Sequence, residues 1–278
     1  MRRVLYALLA FAFAPSAFAD DLSWLTGPQA TNVPVVNGWA GVYLGGAVSY
    51  SNAGGNFDNT TQGPIAFALR ETTLEAQVAP STWPVLGQAN HSATGFGGFV
   101  GYNTQFERLV LGVEADYDQA NLSLIAPNSP ISRLTSAGGN TYTVTVSGSG
   151  SVTDLNIGTL RARAGWALGN FLPYGFVGLA VGHANVNIAA TVSGIENPQN
   201  QPCTPAGPAT PACVPFSFTG TAGKTGEWMY GFTVGGGLDV ALTRNVFLRA
   251  EYEYVQFAPV ANLVVGVNTV RGGLGIKF

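Results

Sequence analysis

The chain is short of charged residues, of cysteine and histidine, and of long apolar runs. Charged residues are 10% of the 278, against roughly 25% in an average soluble domain, so an ordinary soluble domain is disfavoured. Mean hydropathy is nevertheless +0.22. Beyond the N-terminus no segment stays apolar for the ~20 residues that a membrane-spanning helix needs. This argues against a helical membrane protein, and it means that the apolar residues are dispersed along the chain.

Few side chains are available for chemistry. Cys203 and Cys213 are separated by nine residues with no histidine nearby, which is poor spacing for a zinc site. The glycine-rich run Gly95 to Gly101 misses the dinucleotide-binding spacing. His91 and His183 are the only histidines, and a hydrolase built on either of them is a weak alternative. We therefore predict no catalytic residue, no metal ligand and no cofactor.

The N-terminus has the parts of an export signal. Arg2 and Arg3 are followed by an apolar run too short to cross a membrane and then by a small-x-small motif that ends at Ala19. Signal peptidase sites have this form, so we predict cleavage between Ala19 and Asp20. The predicted organisation is a signal peptide over residues 1–19, a periplasmic lead-in over 20–38 and a barrel over 39–278.

Export sets two further expectations. Disulfides form and persist in oxidising compartments, so we predict a bridge between Cys203 and Cys213 that clips a proline-rich loop. Removing Arg2 and Arg3 with the signal leaves 10 of the 12 basic residues against 15 acidic ones, a formal charge of −5. A nucleic-acid partner would require a basic surface, so none is expected.

The clearest pattern runs from Gly158 to Gly182, where residues alternate with period 2 on both sides of a short hinge. Such alternation is typical of a β-strand with two different faces. One face carries Arg161 and Arg163; the opposite, apolar positions are Leu160, Ala162, Ala164 and Trp166. A strand that crosses a membrane turns its apolar face to lipid and its charges to a closed interior. A glycine-rich soluble β protein would show a similar alternation, so this stretch alone leaves both open.

The rhythm of the connections favours the membrane. We predict eight strands: 39–50, 94–102, 109–118, a hairpin around 158–182, 228–240, 246–255 and a last strand ending at Phe278. The connections alternate between long polar stretches, at about 51–91, 119–152 and 185–225, and tight turns, as in outer-membrane barrels with long external loops and short periplasmic turns. Residues 141–146 alternate as well, which predicts that the neighbouring strands extend past the membrane. The predicted fold is all-β, an eight-stranded antiparallel up-and-down transmembrane barrel with long extracellular loops.

The polar strand faces predict a filled interior. Their charges are five acids and five bases: Glu114, Asp116, Arg161, Arg163, Asp239, Arg249, Glu251, Glu253, Arg271 and Lys277. Eight strands enclose a space just wide enough for side chains, and balanced charges can pair there. The apolar faces carry aromatics near strand ends, among them Trp39 and Trp228, which we interpret as interfacial girdles.

Four stretches resemble a known family. They are Trp39 to Gly46, Gly158 to Gly165 with Leu172-Pro173-Tyr174, Leu248 to Tyr252, and Asn268 to Phe278. Together they resemble the RopB-type outer-membrane proteins, in the broad barrel group that also holds opacity-type surface proteins. The resemblance covers the strands, about half of the mature chain, and leaves the long loops unmatched.

The resemblance implies an eight-stranded barrel that is a structural component of the cell envelope. It also implies that the barrel-assembly machinery reads the last strand, with Leu274, Ile276 and Phe278 on one face as the signal. Outer-membrane lipid and lipopolysaccharide are the expected surroundings, and an unknown ligand at the loops stays open. Some relatives are described as porins or haem-binding proteins, so a small-solute porin or a haem-binding barrel is the alternative function.

Overall fold

The structure, a computed structural model, describes residues 38–198, 213–260 and 262–278. Its elements are β1 (Gly41–Asn56), α1 (Gln62–Ala68), α2 (Thr73–Val78), a 3-10 turn (Pro80–Thr82), β2 (Gln88–Phe106), β3 (Leu109–Ile125), β4 (Ile131–Ala137), β5 (Asn140–Trp166), β6 (Phe171–Asn197), β7 (Val214–Ala241), β8 (Val246–Phe257) and β9 (Val264–Lys277). In this part of the chain neither helix has the length and apolar character needed to cross a bilayer.

Eight of the strands close into a ring. Each pairs antiparallel with its neighbours in the order β3-β2-β1-β9-β8-β7-β6-β5, and pairing between β3 and β5 completes the circle. The ninth strand, β4, stands outside the ring and forms a hairpin with the first residues of β5. The predicted eight-stranded up-and-down barrel is therefore confirmed.

Three strands are much longer than predicted. β5 and β6 have 27 residues each and β7 has 28, whereas about 9–11 residues suffice to cross a bilayer. The prediction that residues 119–152 and 185–225 are long loops is wrong over most of their described length, because these strands continue beyond the membrane. Serine, glycine, threonine and asparagine dominate these extensions, and that composition resembles a loop.

The two faces of the long strands exchange character along their length. Near the end of the barrel that carries the short turns, β6 points Val177 and Leu179 outward. Towards the end that carries the long connections, its outward positions become polar, as at Asn187 and Thr191, while Ile188 and other apolar residues point inward. The outward face is thus suited to lipid in the half of the barrel near the short turns, which we call the lower half. It is suited to water in the upper half, near the long connections.

Two β-bulges lie side by side where this exchange occurs. On β5 an extra residue falls between the positions that pair with Asn185 and His183 of β6, and on β7 an extra residue falls opposite Asn185. Asp154 of β5 and Gly226 of β7 have positive φ, at 58° and 69°. One extra residue moves every later side chain to the other face. The bulges therefore allow an apolar interior to continue above a polar one.

Three layers of side chains fill the interior, and the inward residues of β8 contribute to each layer in turn. Its inward residues are, from the short-turn end, Phe247, then the charged Arg249, Glu251 and Glu253, then Val255 and Phe257. We call the three layers the aromatic floor (Trp39, Tyr43, Phe99 and Phe247), the charged layer and the outer core (a large apolar cluster that includes Phe57, Trp83, Val152, Ile188 and Phe257).

The first long connection closes the top of the barrel. Residues 51–91 were expected to form a polar loop, but β1 continues to Asn56 and the helices that follow bury Ile65, Leu69 and Leu74 in the outer core. The apolar residues here follow no regular period in the sequence, because they belong to short helices and turns. The expectation of a polar loop is wrong, and the segment is a packed lid.

Candidate functional site: the buried charged layer

Nine of the ten predicted interior charges lie together inside the barrel. They come from β3, β5, β7, β8 and β9, where they occupy alternate positions and are buried. Alternation places them on the inner face, and glycines at neighbouring inward positions leave room for the long side chains. Gly112 of β3, for example, lies against the stem of Arg163.

Arg161 is the central cation of this layer. Its guanidinium donates to Glu114 through Nε at 2.9 Å and through Nη2 at 2.5 Å, and to Glu251 through Nη1 at 2.8 Å. Its Nη2 is also 3.6 Å from Asp116, and Nη1 donates to Glu253 at 3.4 Å. One arginine thus links four carboxylates from two sides of the ring.

Glu114 is the central hydrogen-bond acceptor on the short-turn side of the layer. Its Oε2 accepts hydrogen bonds from Arg249 at 2.7 Å, from Arg163 at 3.1 Å and from the Tyr43 hydroxyl at 2.7 Å. Asp239 accepts from Arg163 at 2.7 Å and from Arg249 at 2.8 and 3.1 Å. Paired bonds from one guanidinium to one carboxylate are the strongest geometry for such pairs.

Arg271 is the cation on the side of the charged layer away from the short turns. Its guanidinium bonds Glu253, lies 2.5 Å from Asp116 and is 3.5 Å from Glu251. Glu251 also accepts from the Tyr174 hydroxyl at 2.6 Å, and Glu253 accepts from Thr233 at 2.6 Å. The predicted network did not include the neutral hydroxyls of Tyr43, Tyr174 and Thr233. The alternation of their strands places these side chains inward beside the charged residues, and this could have predicted their part in the network.

The predicted balance of five acids and five bases is wrong in two places. Lys277 is only half-buried, and its ammonium bonds the carbonyl of Gly38 and lies 5.6 Å from the Trp39 ring, at the short-turn end. Asp118, two residues beyond Asp116, is buried inside instead. Lys277 is too close to the end of β9 to reach the layer. The described interior therefore holds six carboxylates and four arginines.

Aromatic rings seal the layer at the short-turn end. Trp39, Tyr43, Phe99 and Phe247 contact one another with centroids 6.0 to 6.3 Å apart. Arg249 lies over the Phe99 ring at 4.0 Å and Arg163 over Tyr174 at 3.8 Å, in cation–π geometry. The interpretation of Trp39 as part of an outer girdle is wrong, because the residue is buried inside. Trp39 is in phase with Gly41 and Tyr43, so the alternation of the predicted strand 39–50 places it on the inner face.

The histidines are placed apart from one another. The ring of His91 accepts a hydrogen bond of 3.3 Å from the backbone N–H of Ser123, and His183 packs edge-on against Trp228 with centroids 4.9 Å apart. In the described ranges, no group of three or more His, Cys, Asp or Glu side chains could hold a metal ion.

Several predicted sites remain predictions. Residues 1–37, with the cleavage site between Ala19 and Asp20, lie outside the described residues, and so does Cys203, the predicted partner of Cys213. Leu274, Ile276 and Phe278 are 49%, 42% and 72% exposed on the outward face of the last strand, which is where the assembly signal is predicted.

Comparison with known proteins assigns the family. A family model described as an outer membrane protein beta-barrel domain matches residues 5–278. The chain belongs to this outer-membrane β-barrel family. In outer-membrane barrels the apolar outer face lies in the membrane and the long connections are extracellular. The predicted family and location are confirmed at this broad level.

Individual relatives are outer-membrane proteins of other bacteria. The 31 kDa outer-membrane immunogenic protein of Brucella melitensis biotype 1 is 28% identical over 296 aligned positions, covering 100% of both chains. The 22 kDa outer membrane protein of Rhizobium leguminosarum bv. viciae is 26% identical over 262, covering 90% of this chain and 83% of that protein.

Solved structures of outer-membrane barrels are also similar. Neisserial surface protein A covers 86% of this chain and 98% of its own, with 15% identity and a TM-score of 0.38. Ail, the attachment invasion locus protein of Yersinia pestis, covers 86% and 99%, with 12% identity and a TM-score of 0.33.

Proposed function

We propose that this outer-membrane barrel is a non-conducting, non-enzymatic envelope protein that holds a folded extracellular head at the cell surface. The head is the part above the two bulges: the extensions of β5, β6 and β7, the β4 hairpin strand and the lid with α1 and α2. One observation carries the proposal: the interior is filled in three successive layers, by aromatic rings, by paired charges and by an apolar core.

The pairing within the charged layer supports the absence of a water path. Glu114 alone is bonded by three arginines and one tyrosine. A permeating ion would have to break several of these charge-assisted bonds, and each lost partner would leave a buried charge uncompensated. A porin keeps a polar lumen open to water on both sides, whereas here apolar layers cover the charges at both ends.

The placement of the reactive side chains supports a role other than catalysis. A catalytic histidine must lie within hydrogen-bond reach of the group whose proton it takes. His91 bonds a backbone amide, and His183 packs on an indole ring. Incubating the purified barrel with labelled outer-membrane lipids, beside a His91→Ala, His183→Ala variant, tests this point. Turnover by the wild type that the variant lacks would contradict it.

The partners that we propose follow from the two surfaces. The exposed apolar residues of the lower outer face, such as Val177, Leu179 and Leu160, suit outer-membrane lipid and lipopolysaccharide. The outward row of Leu274, Ile276 and Phe278 suits the barrel-assembly machinery. The Brucella relative is named an immunogenic protein, which supports surface exposure of the head. We expect no nucleic-acid partner.

Planar-bilayer recording tests the proposal. The refolded wild-type barrel should give no stable conductance steps, because no layer leaves a continuous water path. A variant with Trp39→Ala, Arg161→Ala and Phe247→Ala, which thins two of the layers, serves as the comparison and should conduct at least transiently. Stable, uniform steps from the wild type would contradict the closed interior and favour the porin alternative.

A further inference from the structure

Asp118 differs from the other buried carboxylates of the charged layer. Glu114, Asp116, Asp239, Glu251 and Glu253 each have an arginine nitrogen within 4 Å. Among the described residues, Asp118 has no such ion pair. Its side chain, in a residue that is 6% exposed, accepts a hydrogen bond of 2.9 Å from the Ser49 hydroxyl.

The layer as a whole has too few cations. Among the side chains that the structure describes, six buried carboxylates share four arginines, and the stretches 20–37 and 199–212 contain no lysine or arginine. Arg271 is the charged group that attracts Asp118, and Asp116 repels it. Arg271, however, is already engaged with Asp116 and Glu253. The other positions around Asp118 are Gly97 on β2, Ile157 on β5 and Ser49 on β1, which bring no charge.

An ionised carboxylate in this position would be expensive. A buried charge without a charged partner destabilises the folded state, and such a group usually neutralises instead of remaining charged. A single hydroxyl donor from Ser49 does not replace the solvation that the carboxylate loses. Neutralisation requires either a bound cation or a proton.

One further group at this level, a buried hydroxyl, favours a proton. The Thr159 hydroxyl is buried without a hydrogen-bond partner, as are Arg271 Nε and Asp116 Oδ1, the oxygen that lies 2.5 Å from Arg271. Asp116 lies two residues from Asp118 on the same face of β3, and Thr159 is the direct cross-strand neighbour of Asp116. A neutral carboxylic acid at Asp118 has one O–H to donate, and the Thr159 hydroxyl is an acceptor for it.

A metal ion fits this place less well. The guanidinium of Arg271 is 2.5 Å from Asp116, so a cation between Asp116 and Asp118 would sit beside a fixed positive charge. In the part of the chain that the structure describes, no group of three or more His, Cys, Asp or Glu side chains has the arrangement to hold a metal ion. We propose that Asp118 is a buried proton-binding site, which is neutral in the folded barrel at neutral pH and donates its proton within the charged layer.

The proposal predicts a definite pH dependence of stability. Above about pH 4 the aspartate of the unfolded chain has lost its proton, whereas the folded barrel keeps it. The folded state then binds one proton more than the unfolded state, so stability falls as pH rises. The unfolding equilibrium constant should rise up to about tenfold per pH unit until Asp118 ionises in the folded barrel.

Urea unfolding of the whole mature protein in detergent micelles at pH 5, 7 and 9 tests the site. Wild type should lose stability as pH rises, and Asp118→Asn, which mimics the neutral acid, should remove this slope and match or exceed wild type at pH 9. Asp116→Asn, which removes a carboxylate paired with Arg271, should weaken the barrel at every pH. Glu71→Gln, at an exposed position, should leave the wild-type slope unchanged.

Two outcomes would overturn the proposal. One is an Asp118→Asn barrel that keeps the wild-type slope or is weaker than wild type at pH 9. The other is a wild-type barrel destabilised by a chelator at pH 7, which would show a bound cation instead. Infrared spectroscopy of the wild type covers the case in which Asp118→Asn does not fold. The carbonyl band of a buried carboxylic acid should be present at pH 7 and diminish towards alkaline pH, and its absence at pH 7 would refute the site.

Discussion

The side-chain carbonyl of Asn185 accepts a hydrogen bond of 2.8 Å from the backbone N–H of Gly226. The amide nitrogen of the same residue donates to Asp154 Oδ2 at 3.0 Å. Asn185 therefore joins the bulge on β5 to the bulge on β7, across the strand that lies between them. These bulges lie where the outer face changes from lipid-facing to water-facing, so one amide side chain ties the membrane barrel to the extracellular head.

Asn185→Ala should weaken the barrel by about 1–2 kcal/mol, because it removes two hydrogen bonds that each contribute roughly 0.5–1.5 kcal/mol. Urea unfolding in micelles measures the effect. Asn187→Ala is the matched control, since Asn187 is an exposed residue on the same face of the same strand. Equal losses in the two variants would show that the bridge between the bulges has no special role.

Gly101→Ala should destabilise the barrel by about 1–3 kcal/mol through overpacking. A Cβ at Gly101 would collide with the Tyr43 hydroxyl and approach the Val113 carbonyl oxygen to 2.8 Å, and Tyr43 cannot yield without loosening its bond to Glu114. Gly272→Ala, with nothing within 4 Å of the added carbon, should be neutral. Thermal unfolding on gels compares the two, and a neutral Gly101→Ala would contradict the tight packing of Tyr43.

Glu114→Gln should cost about 3–5 kcal/mol, the range for breaking one side of a buried ion pair. Three arginines would lose a shared carboxylate, and the new amide would direct N–H donors at guanidinium donors. Glu71→Gln, at an exposed site, should change stability by less than about 0.5 kcal/mol. Chemical unfolding in micelles distinguishes them, and a Glu114→Gln barrel as stable as wild type would mean that the layer is hydrated.

Sequence reasoning could predict the barrel because the membrane imposes alternation on every strand. Arg161 and Arg163 lie on one face of their strand, and Leu160 and Trp166 lie on the other. If lipid surrounds the barrel, the arginines must point inward. The charged layer could be predicted for the same reason, since nine of the ten predicted residues occupy regular inward positions. The alternation also places Asp118 on this polar face, although the predicted set omits it, and it places Lys277 on the polar face of the last strand, beyond the layer.

The extracellular head could not be predicted in this way. Above the bulges water replaces lipid, the outward positions become Asn, Ser and Thr, and one extra residue in β5 and in β7 shifts the phase of the alternation. In these strands the outward positions change from apolar to polar, and the bulges shift the alternation by one residue. The sequence therefore shows no regular period. The lid is hidden for another reason, because Phe57, Leu69 and Trp83 pack through contacts distant in sequence that no local period records.

Phe57→Ala should open the lid. The ring is 0% exposed and lies against Gly55 and Gly150, and removing a buried phenylalanine typically costs 3–5 kcal/mol. Limited proteolysis of intact cells or micelles should then cut within residues 57–87, which resist cleavage in the wild type. Phe67→Ala, whose side chain is 67% exposed, should stay resistant. Rapid cleavage of the wild type there would show that the segment is not packed.

Nitroxide labels on β6 measure directly where lipid ends and water begins. Leu179→Cys and Asn187→Cys, in a Cys203→Ser, Cys213→Ser background, place labels on one face of β6, eight residues and about 26 Å apart, on either side of the bulges. The label at 179 should collide with oxygen dissolved in lipid, and the label at 187 with a water-soluble nickel chelate. Nickel accessibility at both positions, or the reverse order, would contradict the arrangement of a lipid-facing barrel below a water-facing head.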